Sequence, residues 1–155
     1  LDDYETGTFT PYVTSPVLNN AQNNSFSNGS YTYASGKYTK IGKLVYVQIE
    51  IKLTSNVTYN SGNSSTAHCA IGGMPFQVGT SVHPQFAPMS IMYGGASNTS
   101  SKHYYASFSS HYAPNFIQLM DSGTNGFSPW HNTLNVGEIF GDSCSAQISG
   151  CYMDD

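Results

Sequence analysis

Between residues 44 and 53 the chain alternates strictly. Val45, Val47, Ile49, Ile51 and Leu53 fall on one face, and Leu44, Tyr46, Gln48, Glu50 and Lys52 on the other. A period of two is the spacing of a pleated strand, so this segment predicts a sheet with one buried face. The second face mixes apolar, amide and charged side chains, which leaves it open to another sheet or another subunit.

The same reading extends along the chain. Residues 1–16 predict an extended entry strand with Phe9, Tyr12 and Val13 as packing positions, and residues 19–30 a polar surface loop. Residues 31–33 predict a short strand turned by Ala34-Ser35-Gly36, with residues 37–53 returning as one long strand in which Gly42 marks a bulge. Residues 67–71, 85–93, 103–109, 115–120, 133–140 and 143–152 predict further strands. Those at 103–109 and 115–120 are expected to pair with each other, and Pro88 is expected to sit at a sheet edge. No segment shows an apolar repeat near 3.6 residues. Many short strands with polar turns predict an all-β, antiparallel β-sandwich of jelly-roll type. With 155 residues, no linker and no internal repeat, residues 1–155 read as a single domain.

Composition narrows the function. Charged residues make up 9% of the chain, against roughly 25% in an average globular protein. All basic residues are lysines, and the net charge is -4. Nucleic acid is a poor partner for such a chain, because phosphate neutralisation needs clustered Lys and Arg. No apolar run approaches the length of about 18 residues expected of a membrane span, so membrane insertion is not expected. The Ser, Thr, Asn and Tyr content suits an extracellular or virion surface. The three cysteines, Cys69, Cys144 and Cys151, are odd in number and lack a CxxC spacing, which predicts buried free thiols and no metal site.

Catalytic chemistry finds little footing. Glycoside hydrolysis needs two carboxylates separated by about 5 to 9 Å. The nine acids here are scattered, with Asp121 and Asp142 the best candidates for a shared loop end. A Ser-His-Asp set could be drawn from Asp121 and His131, yet no GxSxG segment supports it. No catalytic residue, cofactor or metal is assigned. The stronger signal is aromatic: Tyr93, Tyr104, Tyr105, Tyr112, Phe127 and Trp130 fall in or beside loops rich in Gly, Ser and Asn. Such rings stack on the apolar face of a sugar while neighbouring polar groups, among them His131 and Asp121, bond its hydroxyls. The same rings fill sandwich cores and subunit interfaces equally well, and of the adjacent Tyr104 and Tyr105 only one can face outward.

Four segments carry a likeness. LDDYETGTFTPYV, GKYTKIGKLVYVQIEIKL, IGGMPF and the terminal AQISGCYMDD together resemble the C-terminal, receptor-binding tip domain of bacteriophage tail fibres and tailspikes. Met74 stands where that family has Leu, and Cys151 where it has Ser. Residues 80–129 carry no matching motif. The resemblance implies a small sandwich tip at the distal end of a virion fibre or spike, the C-terminal piece of a longer protein, joined to an upstream shaft. It implies a homotrimer that touches host-surface polysaccharide or lipopolysaccharide. The motif residues then read as architectural: Gly36, Gly42 and Gly73 for turns and bulges, Tyr38, Ile41, Leu44, Val45 and Phe76 for packing.

Two other readings stay open. One is a trimerisation or folding cap without a ligand, in which the aromatic residues and the mixed face of residues 44–53 lie between subunits. The other is a glycan esterase or glycosidase built on Asp121, His131 or Asp142.

Overall fold

The computed structural model describes residues 3–14, 31–54, 70–79, 86–94, 104–109, 116–121 and 145–154. The strands expected at 133–140 and the loops at 19–30 and 56–66 lie outside the described residues. Among the described residues, nine strands form: β1 (Tyr4–Phe9), β2 (Tyr12–Thr14), β3 (Tyr31–Ile41), β4 (Leu44–Leu53), β5 (Ala70–Gly72), β6 (Phe86–Gly94), β7 (Tyr104–Ser109), β8 (Ile117–Asp121) and β9 (Ser145–Met153). Every pairing is antiparallel, in the order β1-β3-β4-β9-β6-β7-β8-β5-β2.

The order divides into two sheets at β6. Residues 90–94 pair with β9 in sheet A, and residues 86–89 pair with β7 in sheet B. Among the described strands, each half of β6 is therefore an edge of its sheet, which accommodates the missing N–H of Pro88. Gly150 of β9 makes room at this crossing: a Cβ there would stand 2.7 Å from Cγ of Met89. A second crossing follows β1. The chain leaves sheet A at Phe9, passes Thr10-Pro11, and joins sheet B as β2 beside β5. Gly73 receives that corner, with a φ of 84° and the Thr10 carbonyl oxygen 2.4 Å from where a Cβ would be. Only glycine suits both conditions.

The two sheets pack through their inner faces. Val45, Val47, Ile49, Ile51 and Leu53 of β4, with Ala146, Ile148 and Tyr152 of β9, meet Val13, Ile71, Met89, Ala106, Ile117 and Leu119 of sheet B. Val45, Ile51, Leu53, Ile71, Ile117 and Leu119 are wholly buried. The alternation of β4 thus places its apolar set in the core.

The structure corrects the entry hairpin. Residues 31–41 form one continuous strand, and Ala34-Ser35-Gly36 does not turn it. The reversal lies at Gly42-Lys43, a two-residue loop between Ile41 and Leu44, with a φ of 56° at Gly42. A positive φ at the first loop position is what tight hairpins require. Gly36 serves a different purpose. It lies opposite Phe9, whose ring covers it, and Gly7 lies opposite Tyr38, whose ring covers Gly7 in turn. Tyr12 covers Gly72 in the same way. Three aromatic rings cover three cross-strand glycines, each pair bridging β1 or β2 and its neighbour, so each ring protects backbone that has no side chain of its own.

Two packing expectations also change. Ile41 and Leu44 are exposed, because the hairpin turn leaves them on the outer face. Cys151 is an exposed free thiol on that face, where a buried one was expected; its neighbours Gly150 and Tyr152 take the inward positions. Cys69 and Cys144 lie outside the described residues.

Candidate functional site

The outer face of sheet A is where polar side chains gather. Strand alternation presents Thr6 and Thr8 from β1, Ser35, Lys37 and Thr39 from β3, Tyr46, Gln48 and Glu50 from β4, Gln147 and Ser149 from β9, and Ser90 and Met92 from β6. Register aligns them in rows across the sheet. Thr8, Lys37, Gln48, Ser149 and Ser90 form one row. Ser35, Glu50, Gln147 and Met92 form the next.

A trough of about 420 Å³ runs over β3, β4, β9 and β6, lined by Ser35, Lys37, Gln48, Glu50, Ser90, Met92, Gln147 and Ser149. A second hollow of about 350 Å³ lies toward β1, lined by Thr6, Thr8, Lys37, Thr39, Tyr46 and Gln48. Lys37 and Gln48 line both, so the two hollows adjoin. The Gln147 amide donates to Glu50 Oε1 at 3.0 Å across the floor. Tyr46 is 38% exposed. Hydroxyls, primary amides, one ammonium, one carboxylate and one tyrosine ring therefore face a common open channel. Such a channel can donate to and accept from a polyhydroxylated ligand, with the ring available for stacking.

A different surface lies at the end of the same face. Tyr4 stands opposite Ile41, Ile41 opposite Leu44, and Leu44 opposite Met153. The four are 57%, 47%, 45% and 39% exposed. They form an apolar row across β1, β3, β4 and β9. The row is held in place by backbone bonds at the strand ends. Gly42 N–H donates to the Asp3 carbonyl at 3.1 Å and Asp154 N–H to that of Lys43 at 2.8 Å.

On the inner side, the same end of the sandwich is closed by a polar-aromatic cluster. Tyr38 meets Phe76 edge to face at 5.2 Å between centroids. Lys40 Nζ lies 4.3 Å from the Phe76 ring centre and 2.5 Å from Asp154 Oδ2. Tyr152 donates its hydroxyl to the Phe76 carbonyl at 3.1 Å, and Tyr38 donates to Glu5. Burial pushes the Tyr152 phenol well above its ordinary pKa, with Asp154 adding to the effect and the bond to Phe76 opposing it. The hydrogen bond to Glu5 raises that of Tyr38, aided by desolvation and by the carboxylate charge. Phe76 and Tyr38 are thus packing residues of a cluster that joins β1, β3, the segment after β5 and the end of β9.

Of the residues expected to meet ligand, Tyr112, Phe127, Trp130 and His131 lie outside the described residues. Tyr104 is paired with Asp121 and Tyr105 with Met120 across β7 and β8 in sheet B, and Tyr93 with Ala146 in sheet A. These pairings place Tyr93 and the Tyr104–Asp121 pair in different sheets. The trough residues were not anticipated as a site. Gln48 and Glu50 were visible as part of a mixed strand face, but Ser35, Lys37, Ser90, Gln147 and Ser149 are ordinary polar strand residues until register brings them together. Among the described residues, no three His, Cys, Asp or Glu side chains gather as a metal site would. No described helix is long and apolar enough to cross a membrane.

Fold and surface define an all-β protein of two packed antiparallel sheets, one of which carries a polar trough on its outer face. No protein-family model matches the chain, and neither a curated protein nor a solved structure matches it.

Proposed function

We propose that the chain is the receptor-binding tip of a bacteriophage tail fibre or tailspike, a jelly-roll-like sandwich that acts as a homotrimer on host-surface polysaccharide or lipopolysaccharide. The observation that carries the binding reading is the pair of adjoining hollows on sheet A, in which Gln48, Gln147 and several hydroxyls accompany the exposed Tyr46. A saccharide presents hydroxyls in two directions and an apolar ring face, and this surface offers a partner for each. Binding at one trough is weak because the site is shallow and open. Three copies on one shaft convert weak contacts into firm attachment, since the second and third engage at a high effective concentration.

The test is a saccharide array probed with the purified chain and with Tyr46→Ala and Gln48→Ala. Each variant is expected to lose about threefold to tenfold in affinity, as ring stacking and a hydrogen bond are each worth roughly 0.5–1.5 kcal/mol. Binding to a host outer-membrane protein with no saccharide bound would refute the reading.

A second reading, a trimerisation or folding cap, is favoured by the exposed apolar row of Tyr4, Ile41, Leu44 and Met153. The row and the trough occupy different parts of the face, so self-association through the row leaves the trough open. The two roles are compatible, and disrupting the row distinguishes them: mass falls while single-site saccharide affinity is retained.

A further inference from the structure

The trough has an electrostatic centre that its composition alone does not suggest. Lys37 lines both of the adjoining hollows. Its Cα lies opposite Thr8 on one side and Gln48 on the other, so hydroxyl and amide groups flank it. Among the described residues no hydrogen bond, ion pair or ring contact engages its ammonium. Lys40 is different: Asp154 and Phe76 occupy it. The acid of the trough, Glu50, is displaced by one row and accepts the Gln147 amide. A ligand that follows the channel from β1 to β6 must pass over Lys37 before it reaches Glu50.

We propose that Lys37 is the specificity-determining residue of the trough and selects saccharides that carry a carboxylate, with the acidic sugar seated at the junction of the two hollows. The inference rests on the saccharide reading and names its ligand class. The ammonium supplies the charged bond, Thr8 and Gln48 hold the neighbouring hydroxyls, and Glu50 accepts a hydrogen bond from a hydroxyl of the next sugar. Glu50 also repels a second carboxylate placed one sugar further toward β6. The expected ligand is therefore a polymer in which acidic and neutral sugars alternate or mix, and a continuous polyanion is disfavoured. The chain's net charge of -4 acts in the same direction.

The test uses the whole chain and matched pairs of oligosaccharides containing glucuronate, galacturonate or N-acetylneuraminate, each beside its carboxyl-reduced counterpart. Affinities are measured by calorimetry or ligand-observed NMR at low and high salt. At least one acidic member is expected to bind about threefold to tenfold more tightly than its reduced partner, the range between an exposed ion pair and a charge-assisted bond. The preference should shrink in 0.5 M salt. Lys37→Gln should bring the ratio near one, and Lys37→Arg should keep it, with both variants checked for native circular dichroism. Equal binding within every pair, or a preference that persists in Lys37→Gln, overturns the acidic subsite and leaves the saccharide reading standing. Failure to bind any member of any pair overturns both.

Discussion

Replacing Gly36 by alanine tests the packing of a ring on a bare backbone position. A Cβ at Gly36 would stand 2.4 Å from Cζ of Phe9 and 2.5 and 2.6 Å from its Cε atoms. Carbon atoms pack at about 3.5–4.0 Å, so the ring has to retreat by roughly 1–1.5 Å. Phe9 is packed against the core cluster, and moving it loosens those contacts. Overfilling of this kind costs about 1–3 kcal/mol. The exchange also restricts the unfolded chain, which returns about 0.4–1 kcal/mol. The net expectation is a loss of about 1–2 kcal/mol. Urea unfolding followed by far-ultraviolet circular dichroism at fixed protein concentration measures it, since self-association would otherwise shift the midpoint. The decisive comparison is a double-mutant cycle with Phe9→Ala. Without the ring, Gly36→Ala should be neutral or stabilising, so the coupling between the two positions should be about 1–3 kcal/mol. A Gly36→Ala variant as stable as the parent, or a coupling near zero, would refute the stacking and the β1–β3 register together.

Other consequences follow from the core, the closing cluster and the apolar row. Ile49 is 1% exposed at the centre of β4, so Ile49→Ala should destabilise by about 2–5 kcal/mol, read from the urea midpoint. Tyr152 holds its proton in the folded state beyond the ordinary tyrosine pKa. Its contribution is therefore complete below pH 10, where folded and unfolded states are both protonated. Above pH 10 the unfolded state ionises first, and stability should fall by about 1.4 kcal/mol per pH unit until the folded pKa is reached. Comparing unfolding at pH 9 and pH 11 in the parent and in Tyr152→Phe checks this: the variant should show a shallower fall, and an identical slope would contradict the assignment. Finally, Ile41→Glu with Leu44→Glu should lower the mass measured by light scattering without lowering thermal stability of the subunit by more than about 1 kcal/mol, because both side chains lie on the outer face.

The architecture was legible where the signal is local. The alternation of residues 44–53 is a property of the strand itself, and burial of one face follows from it. The pairing of β7 with β8 was readable for the same reason, since the two segments are close in sequence and their patterns face each other. The hairpin before β4 was misplaced because glycine has two meanings. Gly36 and Gly42 look alike in sequence, yet one faces a ring on a strand 27 positions earlier, by residue number, and the other takes a positive φ. The candidate site was hidden for a related reason. Ser35, Gln48, Ser90 and Gln147 come from four strands, and nothing within any one strand distinguishes them. Loop aromatics are conspicuous one at a time, whereas a trough is a property of register.

Register also links the glycine–aromatic pairs to the trough. Gly36, Lys37 and Tyr38 are consecutive, so the outer two point toward the core and the middle one points outward. Phe9 on Gly36 and Tyr38 on Gly7 flank the Thr8–Lys37 pair on the opposite face of the same two strands. A slip of one residue between β1 and β3 would set both rings against side chains and would turn Lys37 away from Thr8. The rings therefore fix, from inside the sandwich, the position of the lysine outside it. GKY, which reads as an architectural motif because it packs, also sets the geometry of the surface on which Lys37, Gln48 and Thr8 meet. Loss of stacking at Gly36 should consequently disturb ligand selection as well as stability, with no change to any trough side chain.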